Sequence, residues 1–150
     1  MFKVSTKGDY GLLFLSALAQ FMREGKKYVA LKEISKAKHL SLPYLSQIAS
    51  KLRAAGLVES KEGREGGYCL SRPAAEISLI SILEALEGPV EPVRCCGNKA
   101  GKCGSEPYCN VKFTWQSAKT MMVHFLRTKT LEDTLNSSIA QGKTITYAKH

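Results

Sequence analysis

The 150-residue chain carries 22 lysines and arginines against 13 aspartates and glutamates, a formal net charge of +9, and 44% of its residues are hydrophobic. This length allows one domain with a hydrophobic core, or a small domain with an extension. No apolar run approaches the roughly 18 residues of a membrane span, and the first ten residues lack the features of a signal peptide. We therefore expect a cytoplasmic protein with no membrane partner.

The spacing of apolar residues predicts four helices in the first 90 residues: Tyr10–Met22, Leu31–Lys38, a third from Ser41 to about Ala55, and Leu79–Glu87. Ser5 or Thr6 is placed to cap the first helix, and Ser41 is placed to cap the third. The second and third helices, joined by a tight turn, form a helix-turn-helix.

The outward stripe of the third helix is small or polar and carries no negative charge. Its residues lie at i, i+3, i+4 and i+7: Pro43, Ser46, Gln47 and Ser50. Serine and glutamine side chains hydrogen-bond base edges in a major groove, although most polar helix stripes are plain solvent faces.

A glycine-rich hairpin follows this helix. Residues 57–61 and 68–71 read as strands, and the tip between them contains three glycines. Lys61 and Arg64 lie near the tip, where a basic residue can enter a minor groove. The predicted fold is therefore mainly α with a small β-wing, a winged helix-turn-helix domain.

Positive charge is concentrated in the same region. Between Lys26 and Arg64 the chain has nine basic and three acidic residues. Such a block suits a polyanion because each neutralised phosphate releases condensed counterions, although a plain solvated surface is the alternative. Together with the helix-turn-helix and the hairpin, the block makes double-stranded DNA the expected partner.

Four of the five cysteines fall within 15 residues: Cys95, Cys96, Cys103 and Cys109. Without a secretion signal, such clustering favours metal or redox chemistry over structural disulfides. Structural zinc sites usually contain close Cys-x₂₋₄-Cys pairs, which are missing here, so an iron–sulfur cluster is favoured. A thiol switch that acts through disulfide formation and a zinc site remain alternatives.

The last long helix is predicted from Val111 or Phe113 to about Arg127. Its apolar seam has heptad spacing, which suits a partner helix: Val111, Trp115, Ala118, Met122 and Phe125. Packing of this seam onto its own domain is the alternative. Thr130 to Asp133 resembles a capping box that opens one more helical turn. The expected division is 1–90 for DNA binding, 91–110 for the cysteine loop, 111–136 for dimerisation and 137–150 for a tail.

Over about residues 2–136 the chain resembles the Rrf2 family of winged-helix transcription regulators. The resemblance is carried by a three-cysteine loop before a Trp-bearing helix and by five segments: Ser5–Tyr10, Leu42–Ile48, Leu52–Val58, Gly66–Leu70 and Ile80–Gly88. It implies a homodimer whose C-terminal helices cross, with each third helix in a major groove of a pseudo-palindromic operator. The DNA-contacting set is then Pro43, Tyr44, Ser46, Gln47, Ser50, Lys51, Lys61 and Arg64.

Two departures from the family's pattern affect DNA reading and cluster ligation. Glu62 stands where some members have a wing arginine, so minor-groove contact falls to Lys61 or Arg64. Lys112 occupies the place of a ligating histidine. Asp9 matches an aspartate with which other members ligate the cluster of the partner subunit, although it also suits the dipole of the first helix.

The resemblance implies a 2Fe-2S or 4Fe-4S cluster on Cys103, Cys109 and either Cys96 or Cys95. The predicted function is a DNA-binding repressor that senses redox state, nitric oxide or iron–sulfur status. The alternatives are a thiol-switch regulator without a cluster and a zinc-bearing protein–protein adaptor. A redox enzyme is disfavoured, since the sequence has no cofactor fingerprint and its three histidines are scattered.

Overall fold

The computed structural model describes residues 4–93, 104 and 108–140, without the side chains of residues 138 and 139. Its elements in chain order are α1 (Thr6–Arg23), α2 (Leu31–Lys38), α3 (Leu42–Ala54), β1 (Val58–Lys61), β2 (Gly67–Leu70), a 3-10 turn (Ala74–Glu76), α4 (Leu79–Glu87), α5 (Lys112–Thr128) and α6 (Leu131–Ala140). This helical fold with an antiparallel hairpin confirms the predicted class. None of the helices in the described ranges is long and apolar enough to span a bilayer.

α1 begins at Thr6, directly after Ser5, so the predicted cap at Ser5 is confirmed. The Ser5 hydroxyl accepts a hydrogen bond from the Gly8 N–H at 3.4 Å. Glu87, the last residue of α4, accepts hydrogen bonds from the Ser5 backbone N–H at 3.1 Å and from the Ser5 hydroxyl at 2.7 Å. A carboxylate is favoured at a helix N-terminus. The end of α4 is thereby fixed to the start of α1.

The core lies between α1 and the helices that surround it. Phe14, Leu15 and Leu18 of α1 are fully buried. They share one apolar cluster with the inward faces of the other helices, whose fully buried residues include Ile34, Leu45, Ile48, Leu52 and Ile82. Burial of side chains of this size contributes about 1.5–3 kcal/mol each before entropy is counted.

The turn between α2 and α3 is closed by local hydrogen bonds. His39 adopts a left-handed conformation with φ 54°. The Leu40 N–H donates to the Ser35 carbonyl at 3.0 Å, and the Ser35 hydroxyl donates to the Leu40 carbonyl at 2.6 Å. Leu40 is buried, which anchors the turn in the core. The predicted helix-turn-helix is confirmed.

The two strands pair in antiparallel register, with Val58 opposite Leu70 and Lys61 opposite Gly67. Val58 is buried, whereas the remaining residues of β1 are exposed. The base of the hairpin therefore belongs to the core and its tip projects into solvent, as a wing does.

α5 and α6 differ in how they pack. α5 contacts α4 but has no buried residue. α6 returns to the core through Leu131 and Leu135, and the Leu131 N–H donates to the Ile77 carbonyl at 2.8 Å. α6 continues to Ala140, so it is ten residues long where one further turn was predicted, and it includes the start of the expected tail at residue 137.

Candidate nucleic-acid interface and cysteine segment

The polar stripe of α3 faces solvent. Pro43, Ser46, Gln47 and Ser50 are all exposed, whereas the opposite face of the helix is buried through Leu45, Ile48, Ala49 and Leu52. Ser41 occupies the N-cap position as predicted, but its side chain makes no capping hydrogen bond. The stripe is therefore held outward by the packing of the opposite face.

Different elements border this stripe on its two sides. On one side, the Arg53 guanidinium donates a hydrogen bond to the Ser60 hydroxyl of β1 at 2.9 Å, which joins the helix to the wing. On the other side, the half-buried Tyr44 ring meets the Tyr10 ring of α1 edge-on, with 5.5 Å between centroids. Lys51, also on this side, is exposed. The predicted base-reading residues thus lie between the wing and α1.

The wing is tied to the loop that precedes α2. Val29 and Tyr68 form a β-bridge, with hydrogen bonds of 2.9 and 2.8 Å between their backbones. Gly67 has φ 144°, and a Cβ atom there would collide with the Val29 carbonyl, so only glycine allows this approach. The Lys61 ammonium lies 5.4 Å from the centre of the Tyr28 ring. This contact positions one of the two predicted wing cations.

A basic pocket of about 500 Å³ lies between this loop and the wing. The cations that line it are Lys26, Lys27, Lys61 and Arg64, and the acids are Glu33 and Glu65. Lys26 pairs with Glu33. Of this group, the sequence prediction named only the two wing cations as DNA contacts. The pairing of the wing with the loop before α2 is not visible in local sequence.

Of the predicted thiol ligands, only Cys109 lies in the described residues. It is a half-buried free thiol, three residues before α5. Cys95, Cys96 and Cys103 lie outside the described residues. Within the described ranges no group of three or more histidine, cysteine or acidic residues is arranged to hold a metal ion.

Asp9, the predicted ligand from a partner subunit, and Cys69, the fifth cysteine, lie in the described residues. Asp9 is exposed in the first turn of α1. Cys69 is a half-buried free thiol in β2, and burial, together with the nearby Glu59 carboxylate, raises its pKa. A raised pKa keeps Cys69 protonated and weakly reactive at neutral pH, as expected for a structural cysteine.

The predicted dimerisation seam lies partly against the chain's own domain. Ala118 and Met122 are half-buried, whereas Trp115 is 37% exposed and Phe125 is 56% exposed. Met122 and Phe125 line a groove of about 500 Å³, whose opposite wall includes Val4, Leu83, Pro89 and Val90. Met121, which the seam did not include, is 73% exposed. α5 therefore presents an uncovered apolar face beside the end of α4.

An outward polar helix stripe between a basic hairpin and a second helix defines a winged-helix DNA-binding protein. A family model named Rrf2, described as an iron-dependent transcriptional regulator, matches residues 4–137. The regulator IscR from Cereibacter sphaeroides is 38% identical over 138 residues, which cover 91% of this chain and 89% of that protein. The regulator CymR from Bacillus subtilis is 44% identical over 91 residues, 61% of this chain and 64% of that protein.

Solved structures agree with this relationship. The structure of CymR, the global cysteine regulator of B. subtilis, has a TM-score of 0.73 at 34% identity and covers 91% of this chain and 98% of that one. T. potens IscR also has a TM-score of 0.73, at 35% identity, and covers 99% of this chain and 94% of that one. Staphylococcus aureus CymR in its oxidized form has a TM-score of 0.69 at 35% identity, covering 89% and 96%.

The chain belongs to the Rrf2 family. It is a DNA-binding transcription regulator of the IscR and CymR type, not an enzyme. The redox enzyme considered from the sequence is thereby excluded.

Proposed function

We propose that the chain is a homodimeric repressor that inserts α3 of each protomer into a major groove of a pseudo-palindromic operator, with its affinity controlled by an iron–sulfur cluster bound to the cysteine segment. The observation that carries the DNA-binding part is the exposed stripe of Ser46, Gln47 and Ser50 beside the wing. A buried stripe would have been incompatible with base reading.

Roles within this face follow from donor and acceptor chemistry. Gln47 is the base-reading residue, because a glutamine amide donates to and accepts from one adenine edge. Ser46 and Ser50 add hydroxyl contacts, and Pro43 offers an apolar surface to a thymine methyl group. The cations Lys51, Lys61 and Arg64 contact phosphates or the minor groove, which fixes orientation without reading sequence directly.

Selection from a randomised duplex pool tests this part of the proposal. The wild-type chain should enrich a two-fold-symmetric site, with half-sites about one helical turn apart or a multiple of it. Affinity for the selected site should fall steeply with salt. Failure to enrich any sequence, together with no duplex affinity at low ionic strength, would contradict the proposal.

The dimer is supported by the uncovered apolar residues of α5. Trp115 and Phe125 are large, exposed and close to the half-buried Ala118 and Met122 on the same helix. Aromatic residues of this kind dominate the cores of protein interfaces. A second α5 is the expected occupant, since closed two-fold symmetry is the commonest arrangement of soluble oligomers.

The cluster is supported by the donor set of the cysteine segment. Thiolates are the usual ligands of iron–sulfur clusters, and the segment supplies Cys103, Cys109 and either Cys96 or Cys95. Cys109 is a free thiol next to the start of α5, and Asp9 of a partner subunit is exposed and available as a fourth ligand. When bound, the cluster would supply sensitivity to redox state and nitric oxide.

The chain's own residues would transmit the state of these thiols. The cysteine segment joins α4 to α5, and Glu87 at the end of α4 is hydrogen-bonded to Ser5 at the start of α1. A change in thiol ligation therefore acts on α5, the proposed dimerisation helix. It also acts on the hydrogen bonds between Glu87 and Ser5, which hold α4 to the start of α1. We expect this change to alter the separation of the two α3 helices.

Anaerobic purification, followed by an absorption spectrum and analysis of iron, sulfide and zinc, tests the cofactor. Bound iron and sulfide are expected, with loss of both in Cys103→Ser and Cys109→Ser. Comparison of Cys95→Ser with Cys96→Ser identifies the remaining thiol ligand. Zinc without sulfide would instead indicate the zinc alternative.

A thiol switch is the second candidate, favoured by the similarity to CymR and its oxidized structure. In that case the purified chain would lack iron and sulfide, and an oxidant would form a disulfide among the segment's thiols. Mass spectrometry after thiol alkylation separates the two candidates.

A further inference from the structure

The first two turns of α1 lie along the edge of α3. Besides the contact between the rings of Tyr10 and Tyr44, the backbone of α1 approaches α3 at Gly11. A Cβ atom at Gly11 would stand 3.8 Å from the Ile48 side chain and would collide with Leu86. The start of α1 therefore packs against both α3 and α4.

The helix faces that meet at this ring contact also carry Lys7 and Lys51. Lys7 precedes Tyr10 by three residues, and Lys51 follows Tyr44 by seven, so each lysine lies on the same helix face as its tyrosine. The interaction with Lys7, and the positive charge of Lys7, lower the pKa of Lys51. Neither lysine forms an ion pair with a carboxylate of the described residues. Two like charges are thus held together by the fold of the core, although they repel each other.

The lysine pair lies on a defined side of the base-reading stripe. Lys51 is four residues after Gln47, so it lies one turn along the α1 side of α3. Arg53, which is hydrogen-bonded to Ser60 of β1, lies on the wing side. A helix in a major groove has a phosphate backbone along each side. The wing lies on the side of one of these phosphate backbones, and the lysine pair lies on the side of the other.

We propose that Lys7 and Lys51 bind a single backbone phosphate of the duplex, on the side of α3 opposite the wing. A phosphate between the two ammonium groups accepts hydrogen bonds from both and removes their repulsion. This adds Lys7 of α1 to the DNA-contacting residues. The proposal rests on the proposed insertion of α3 into the major groove.

Salt-dependent duplex binding tests the shared phosphate. We would measure the affinity of wild type, Lys7→Gln, Lys51→Gln and the double variant for one mixed-sequence duplex between about 50 and 200 mM salt. Lys129→Gln is the control, because it removes one exposed positive charge at the junction of α5 and α6. The slope of log affinity against log salt falls by about 0.9 for each phosphate contact that is lost.

The double variant should lose about 0.9 from this slope per bound protomer, since both lysines contact one phosphate. Each single variant should bind roughly threefold to tenfold more weakly than wild type, and the Lys129→Gln control should bind like wild type. The thermal midpoint of Lys7→Gln should equal or exceed that of wild type, because the substitution relieves repulsion. This result separates DNA contact from a role in folding.

Three results would overturn the proposal. A slope loss near 1.8 in the double variant would mean two separate phosphates. If the double variant and the Lys129→Gln control bind the duplex with equal affinity, the two lysines do not contact DNA. An absence of salt-dependent binding by wild type would reject the proposed DNA-binding face as well, whereas the first two results would leave that face standing.

Discussion

α1 and α5 are helices of similar length, 18 and 17 residues, but they differ in how much of their surface the fold buries. α1 buries eight residues, including Phe14, Leu15 and Leu18, and its apolar side is covered by the chain itself. α5 buries none, and its Phe125 is 56% exposed. The apolar residues of α1 therefore build the chain's own core, whereas those of α5 are left largely uncovered and available to the proposed second protomer.

α3 lies between these extremes and clarifies the difference. Its inner face is buried like that of α1, and its outer face is uncovered like that of α5. The outer face of α3 is polar, however, with Ser46 and Gln47 at its centre. An uncovered apolar face matches a protein partner, and an uncovered polar face flanked by cations matches a nucleic acid.

A phenylalanine-to-alanine substitution in each of the two long helices tests whether α1 and α5 differ in their contribution to stability. Phe14→Ala should lower the free energy of unfolding by about 3–5 kcal/mol, because it removes a fully buried ring from the core. Phe125→Ala should cost the separated protomer much less, because this ring is 56% exposed. Chemical denaturation at protein concentrations below the dimer dissociation constant measures both changes in the free energy of unfolding. Equal losses in the two variants would refute the distinction between α1 and α5.

Charge on the open face of α5 should separate the protomers. Phe125→Glu should raise the dimer dissociation constant at least about 30-fold, as expected for an aromatic residue that contributes 2 kcal/mol or more. Sedimentation measures the change. Thr120→Glu adds the same charge to an exposed position outside the predicted seam and serves as the control. Equal dissociation constants for the two variants would place the interface elsewhere.

Removal of the amide from the open face of α3 should weaken DNA binding without affecting the fold. Gln47→Ala should cost about 1–3 kcal/mol of affinity for the selected operator and relax specificity at one base pair. Gln116→Ala, an exposed glutamine of α5, is the matched control. Titration of operator and mixed-sequence duplexes measures the change, and an equal loss on both duplexes would contradict base reading by Gln47.

The smallest effect is expected where α6 rejoins the core. Asp133 accepts hydrogen bonds from the Thr130 backbone N–H at 2.9 Å and from its hydroxyl at 3.1 Å, and these bonds lower the pKa of Asp133. The stabilisation is complete above the unfolded carboxyl pKa, near 3.9, and is lost as pH falls through the lowered folded pKa. Asp133→Asn should therefore lower the thermal midpoint at pH 7, and this deficit should shrink below about pH 4. A deficit independent of pH would contradict this cap.

Local patterns were sufficient to predict most of the elements. The bounds predicted for α2 and α4 agree with the structure. Those of α4 are set by clear signals, Ser78 before the helix and Gly88 after it. The length of α6 was missed since its apolar residues are sparse, with mainly polar residues between Leu131 and Leu135 and after them. Their burial depends on contacts with α1 and the 3-10 turn, which are distant in sequence.

The residues of the candidate site that lie on one helix were predictable from the sequence. The contacts that depend on several elements were not. The α3 stripe is fully encoded in the spacing of Ser46, Gln47 and Ser50. The effect of Lys7 on the pKa of Lys51 and the contact between Lys61 and the Tyr28 ring arise only from tertiary packing. The partial cover of Met122 likewise depends on the position of α4, which heptad spacing in α5 does not reveal.

We propose that the thiols of the cysteine segment control the affinity of α3 for operator DNA. The most direct test is the affinity of one operator duplex for the anaerobically purified chain and for the same chain after removal of bound metal, at matched salt. A coupling of about 1–3 kcal/mol predicts a difference of roughly 5- to 150-fold. Identical affinities in the two states would contradict the claim, while leaving a DNA-binding protein with no sensor.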